Sequence, residues 1–155
     1  MRRLGSLGLV WLILFFQYAL GFPQDQATAR NTADPAVEEF IHLLNGKRSR
    51  IGCPALKWDE RAAAVAMGHS RDMAWRNYFS HTNPEGKDCF DRLRASHIRY
   101  SLAGENIAVG IKTGRGAYDL WLNSPDHREN MMDCRFTHQG VGKSGNRWTQ
   151  ILLRP

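Results

Sequence analysis

The feature that most constrains the fold of this 155-residue chain is a spacing of apolar residues that keeps switching between helical and extended, without settling into strand–helix–strand alternation. Asp34 and Pro35 open a helix, and Val37, Phe40, Ile41 and Leu44 follow at helical spacing. Asn45-Gly46 is expected to end it, with Lys47-Arg48-Ser49-Arg50 a solvated loop beyond. Cys53-Pro54-Ala55-Leu56 reads as a turn, and Asp59 caps a long helix to about Trp75 whose apolar stripe is Ala62, Val65, Ala66, His69 and Met73. Asn77 to Asp88 is a loop and Phe90 to His97 a short helix. A strand lies within Leu102 to Ile111, and helices cover Ala117 to Asn123 and Pro125 to Met132. Phe136 to Lys143 and Arg147 to Leu153 read as two strands joined at Ser144-Gly145-Asn146. Mixed elements in this order predict α+β layering rather than a parallel α/β sheet.

The ends bound the domain. Arg2 and Arg3 precede an apolar run from Leu4 to Leu20, and Ala19-Leu20-Gly21 supplies the small residues a signal peptidase reads. Residues 1–21 are therefore expected to be a signal peptide, and removing them leaves 155 − 21 = 134 residues. The run is broken by Gly5, Ser6, Gly8 and Gln17 and is short for an uncleaved anchor, and no later stretch could cross a membrane. Residues 22–34 read as a linker and 35–155 as one domain with room for a real core. A secreted protein follows, extracellular or periplasmic, expected to be monomeric.

The formal charge is +6, with 21 basic against 15 acidic residues. The basic residues are scattered rather than gathered in a stripe with interleaved aromatics, which argues against nucleic acid as a partner. Three cysteines in a chain bound for an oxidising compartment suggest one disulfide and one leftover thiol. Cys53 and Cys134 both lie in loops just outside helices and are the expected pair, leaving Cys89.

Three segments carry the chemistry. Tyr78-Phe79-Ser80-His81 running into Pro84-Glu85-Gly86, then Ala103-Gly104-Glu105-Asn106-Ile107-Ala108, then Trp121 to Asn130 each close a different element. Each presents one group able to bind a proton or a metal: His81, Glu105 and His127. With His69-Ser70-Arg71-Asp72-Met73, Asp91-Arg92, Gly140-Val141-Gly142 and Trp148-Thr149-Gln150, they form an ordered series over about Val37 to Leu153. In order and spacing the series resembles the CAP superfamily (SCP domain) of cysteine-rich secretory proteins, antigen 5 and plant pathogenesis-related proteins, and most of all its compact bacterial-type members. The resemblance implies a three-layer α-β-α sandwich with a central cleft.

Carried over position by position, the resemblance makes His81 and His127 the histidines of that cleft, able to hold zinc or another divalent ion, and Glu105 its first glutamate. Ser124 stands where a second glutamate is usual, which removes a negative charge and should weaken metal affinity. The residues themselves give partial support. Glu105 shares a strand side with Ile107, where a carboxylate needs a partner. His127 sits in the first turn of a helix that Ser124 is placed to cap. His69 reads as a satisfied core histidine, Asp72 and Arg92 as a structural ion pair, and Asn106 and Asn130 as loop ties.

No G-x-S-x-G, H-E-x-x-H, Walker loop or dinucleotide fingerprint occurs. The expectation is therefore a protein that acts by binding a small lipid, a metal or an envelope ligand rather than by catalysis. The alternative is a divalent-metal-dependent hydrolase of extracellular peptides or cell-wall material, with Glu105 as general base on a water held by His81 and His127.

Overall fold

The computed structural model describes residues 34–155, so the expected signal peptide and all of the linker but Asp34 lie outside the described residues. Helix α1 (Pro35–Arg50) starts as its sequence dictates, with the Asp34 carboxylate accepting from the Ala36 N–H at 2.8 Å. It does not stop at Gly46. The helix runs on to Arg50, and the chain turns only at Gly52, whose φ of 81° suits the residue without a Cβ.

The expected solvated loop is therefore the last turn of α1, and the reason is Arg48. This side chain is fully buried, and its guanidinium donates to the carbonyls of Pro54, Met131, Asp133 and Phe136 at 2.8–3.0 Å. A planar group with five N–H donors can satisfy several chain segments at once, which offsets the cost of removing its charge from water. The Cys53–Cys134 disulfide closes beside it, with Cα atoms 4.9 Å apart, and Cys89 is left as the free thiol.

Residues 57 and 58 form a two-residue strand, β1 (Lys57–Trp58), between the Cys53–Leu56 turn and the Asp59 cap, where sequence patterning assigned no element. Helix α2 (Glu60–Trp75) follows, capped by the Asp59 carboxylate, which accepts from the N–H groups of Arg61 and Ala62. After a loop come α3 (Cys89–Ala95), with a reciprocal capping box between Asp88 and Asp91, and strand β2 (Leu102–Val109). Helices α4 (Gly114–Leu122) and α5 (Pro125–Met132) then lead to the hairpin of β3 (His138–Ser144) and β4 (Arg147–Arg154).

The strands form one sheet in the order β1-β3-β4-β2, parallel between β1 and β3 and antiparallel elsewhere. β4 is buried on both faces because helices cover both. One face presents Ala108, Val141, Trp148 and Leu152 to α1, α4 and α5, whose Phe40, Leu44, Trp121 and Met131 complete that core. The other presents Ile151 and Leu153 to Ala62, Val65 and Ala66 of α2 and Leu93 of α3. The result is the expected α+β architecture in three layers, helices on sheet on helices.

Close approach of α2 to the sheet depends on Gly140 and Gly142. A Cβ at either position would strike the α2 backbone, at Ala62 and Ala63 or at Ala66 and Met67. β2 stands at the sheet edge, with α3 on one flank and α5 on the other. That edge is where the chemistry-bearing segments meet.

Candidate functional site

Alternation along β2 turns Glu105 toward the α2 and α3 face of the sheet, where its side chain is 4% exposed. A carboxylate this buried needs partners, and both of its oxygens have one. Oε1 accepts from His81 Nδ1 at 2.8 Å, and Oε2 accepts from Arg92 NH2 at 2.6 Å. An ionised carboxylate can only accept, so Nδ1 of His81 carries the proton in this bond, and Nε2 has no hydrogen-bond partner among the described residues.

Arg92 was expected to pair with Asp72, and it does not. Asp72 instead accepts from Tyr78 Oη at 2.6 Å and faces Arg76 one turn along α2. Arg92 NH1 donates to the carbonyls of His81 and Lys87, each at 3.0 Å, so one guanidinium ties α3, the 77–88 loop and Glu105 together. Sequence reasoning singled out Arg92 but not its partner Glu105, which lies in another element.

The loop carrying His81 is fixed from behind by His69, as expected of a core histidine. His69 is 2% exposed, and its Nε2–H donates to the Ser80 carbonyl at 2.9 Å. Burial lowers its pKa, since the charged ring would lie in apolar surroundings, and the Arg92 charge acts in the same direction.

Across β2, Ser124 occupies the N-cap position of α5 but makes no side-chain capping bond. The expected cap is replaced by a bond between Ser124 Oγ and His127 Nδ1 at 2.8 Å. The ring prevails because it stands in the first turn directly over the hydroxyl. As with His81, Nδ1 is engaged and Nε2 is not. The His127 pKa is lowered, first by burial and then by the charge that His81 carries when protonated. Asn106 and Asn130 tie the segments as expected: Asn130 Nδ2 donates to Asn106 Oδ1 at 2.9 Å, and Asn106 Nδ2 donates to the His127 carbonyl at 3.2 Å.

A cavity of about 350 Å³ opens along this edge, lined by His81, Asp88, Cys89, Phe90, Ala103, Gly104, Glu105 and Asn130. His81 and Glu105 are thus brought into one hollow. Ser124 and His127 form a bonded pair beside it rather than part of its lining. Cys89 was not foreseen here; its thiol is pushed well above the ordinary value by burial and then by the Glu105 charge, so it stays protonated.

Among the described residues, no three His, Cys, Asp or Glu side chains are gathered as a metal centre. The chain itself offers two imidazoles with Nε2 available, and Glu105 is an orienting carboxylate for His81 rather than a ligand. Imidazole nitrogens of this kind are the commonest protein ligands of divalent ions.

The family model of the cysteine-rich secretory protein (CAP) family matches residues 41–151. The chain belongs to the CAP family. Bacillus subtilis protein YkwD is 40% identical over 118 residues, which cover 75% of this chain and 46% of YkwD. Bacillus subtilis YlbC, named a membrane protein, is 38% identical over 117 residues, covering 76% of this chain and 34% of YlbC. The solved structure of an extracellular SCP-domain protein from Bacillus anthracis superposes with a TM-score of 0.75 at 42% identity, covering 77% of this chain and 40% of that one. This CAP chain therefore spans between a third and a half of these relatives. No described helix is long and apolar enough to cross a membrane.

Proposed function

We propose that this CAP domain is secreted and acts by binding a small lipid or envelope ligand at the β2 edge, with His81 and His127 able to hold a divalent ion there, and that it does not catalyse. The observation that carries this reading is the state of Glu105. Both carboxylate oxygens are held, one by His81 and one by Arg92, in a side chain that is almost fully buried. A general base needs a lone pair aimed at the proton it removes; with one bond on each oxygen and a side chain only 4% exposed, the lone pairs left on Glu105 have little access to a water. The hydrolase alternative asks Glu105 for that service. The Ser124–His127 pair resembles a nucleophile with its base, yet Glu105 is not hydrogen-bonded to His127 and no carboxylate orients that ring.

Zinc, when bound, would supply a charged centre for anionic ligand groups; the chain's part would be to present Nε2 of His81 and of His127 to it. The test is zinc titration followed by NMR of the ring signals, in parallel with peptide and ester turnover, for the wild type and His81→Ala/His127→Ala. Zinc uptake that the double variant loses, without turnover, is the expected result. Turnover that disappears with the two histidines would overturn the binding reading in favour of the hydrolase.

A further inference from the structure

We propose that the ligand taken by the cleft is a short extended peptide, which adds as a strand to the outer edge of β2 at Ala103–Glu105. This inference deepens the binding reading above and rests on it.

The argument begins with strand register. β2 pairs with β4 on one side only and has no strand on the other. Main-chain groups along a strand alternate in direction, so every second residue points its N–H and C=O away from the partner. The Ile107 carbonyl accepts from Trp121 Nε1 at 3.0 Å, and Asn130 Nδ2 approaches the Glu105 carbonyl at 3.5 Å. Neither donor belongs to β4, so the odd-numbered residues face outward. Ala103 N–H, Ala103 C=O and Glu105 N–H share that direction, and among the described residues none of the three has a hydrogen-bond partner.

These groups lie on the cavity described above, and Ala103, Gly104 and Glu105 are all part of its lining. Its volume of about 350 Å³ is within the range of small-ligand sites. Natural edge strands are usually blunted by lysine, proline or a covering element. Residues 102–105 (Leu-Ala-Gly-Glu) carry no lysine or proline, and the one charge, Glu105, is drawn onto the sheet face by Arg92 and His81. Asn130 and Trp121 close the ladder beyond that point.

Two donors and one acceptor at strand spacing are complementary to another extended backbone. A lipid tail offers no such groups. His81, Cys89 and Phe90 on one wall and Asn130 on the other would contact alternate side chains of the guest.

The probe is a pool of random-sequence hexapeptides, acetylated and amidated, and a matching pool N-methylated at every residue, so that neither edge of the guest can donate. Amide exchange and chemical shifts are read by NMR on the full domain. The unmethylated pool is expected to slow exchange at Ala103 and Glu105, and the methylated pool to lose that effect. Ala103→Pro removes an outward N–H while leaving the β4 bonds of the even-numbered residues intact, and should abolish the response with little change in melting temperature. No response at β2, or equal responses to both pools, would overturn the inference. If zinc still moves the His81 and His127 ring signals in those same samples, only strand addition fails and the binding reading stands.

Discussion

At the scale of single residues, the molecule is governed by two arginines that satisfy backbone carbonyls. Arg48 serves four carbonyls from a fully buried position, so truncation to Ala leaves them without a donor. Arg48→Ala is expected to cost roughly 3–5 kcal/mol, the range for breaking a buried charged network, and Arg48→Lys should rescue little because an ammonium cannot span the fork. Urea denaturation of the three proteins reads this directly. Glu105→Ala removes the acceptor for both Arg92 and His81 and should lower stability by about 1–3 kcal/mol; an unchanged melting temperature would show the network to be idle.

His69 and His127 both have pKa values lowered by burial, so the folded rings resist protonation while the unfolded chain takes up protons below its ordinary value of 6.5. Unfolding then binds protons, so stability is full above about pH 6.5 and falls as pH drops below it, until the folded rings titrate. Melting temperatures between pH 7.5 and 5 should show this decline, and His69→Gln should reduce it. Cys89 lies on the cavity yet keeps its proton, so a maleimide should label it only after denaturation.

At the scale of elements, the packing of α2 against β3 was partly legible in sequence. Gly140-Val141-Gly142 stood out as a segment, but only the packed structure shows that both glycines meet helix backbone. Gly142→Ala should therefore separate α2 from the sheet and destabilise by about 1–3 kcal/mol, the usual cost of overpacking. Calorimetry of the variant measures it. The end of α1 is the converse case. Asn45-Gly46 is a sound local stop signal, and it loses because Arg48 is needed inside, where three of its four carbonyls come from segments more than eighty residues away. The β1 strand escaped notice because two residues carry no period, and its existence depends on β3 lying alongside.

For the whole molecule, the disulfide between Cys53 and Cys134 links positions 81 residues apart in sequence. Closing so long a loop restricts the unfolded chain, and reduction should cost about 4 kcal/mol on the chain-entropy account. A lower melting temperature in reductant, absent in a Cys53→Ser/Cys134→Ser variant, checks it. The sequence by itself determined the order of the helices and the three longer strands, the α+β class and the segments bearing His81, Glu105 and His127, and it suggested the cysteine pair that the structure shows. Periodicity, caps and turn residues are local properties that no distant contact needs to reveal. Only the tertiary structure decided that Arg92 binds Glu105 and not Asp72, that Ser124 serves His127 and not its helix, and that β2 keeps an open edge. Each of those outcomes depends on which polar groups are brought within hydrogen-bonding distance after the apolar faces have packed.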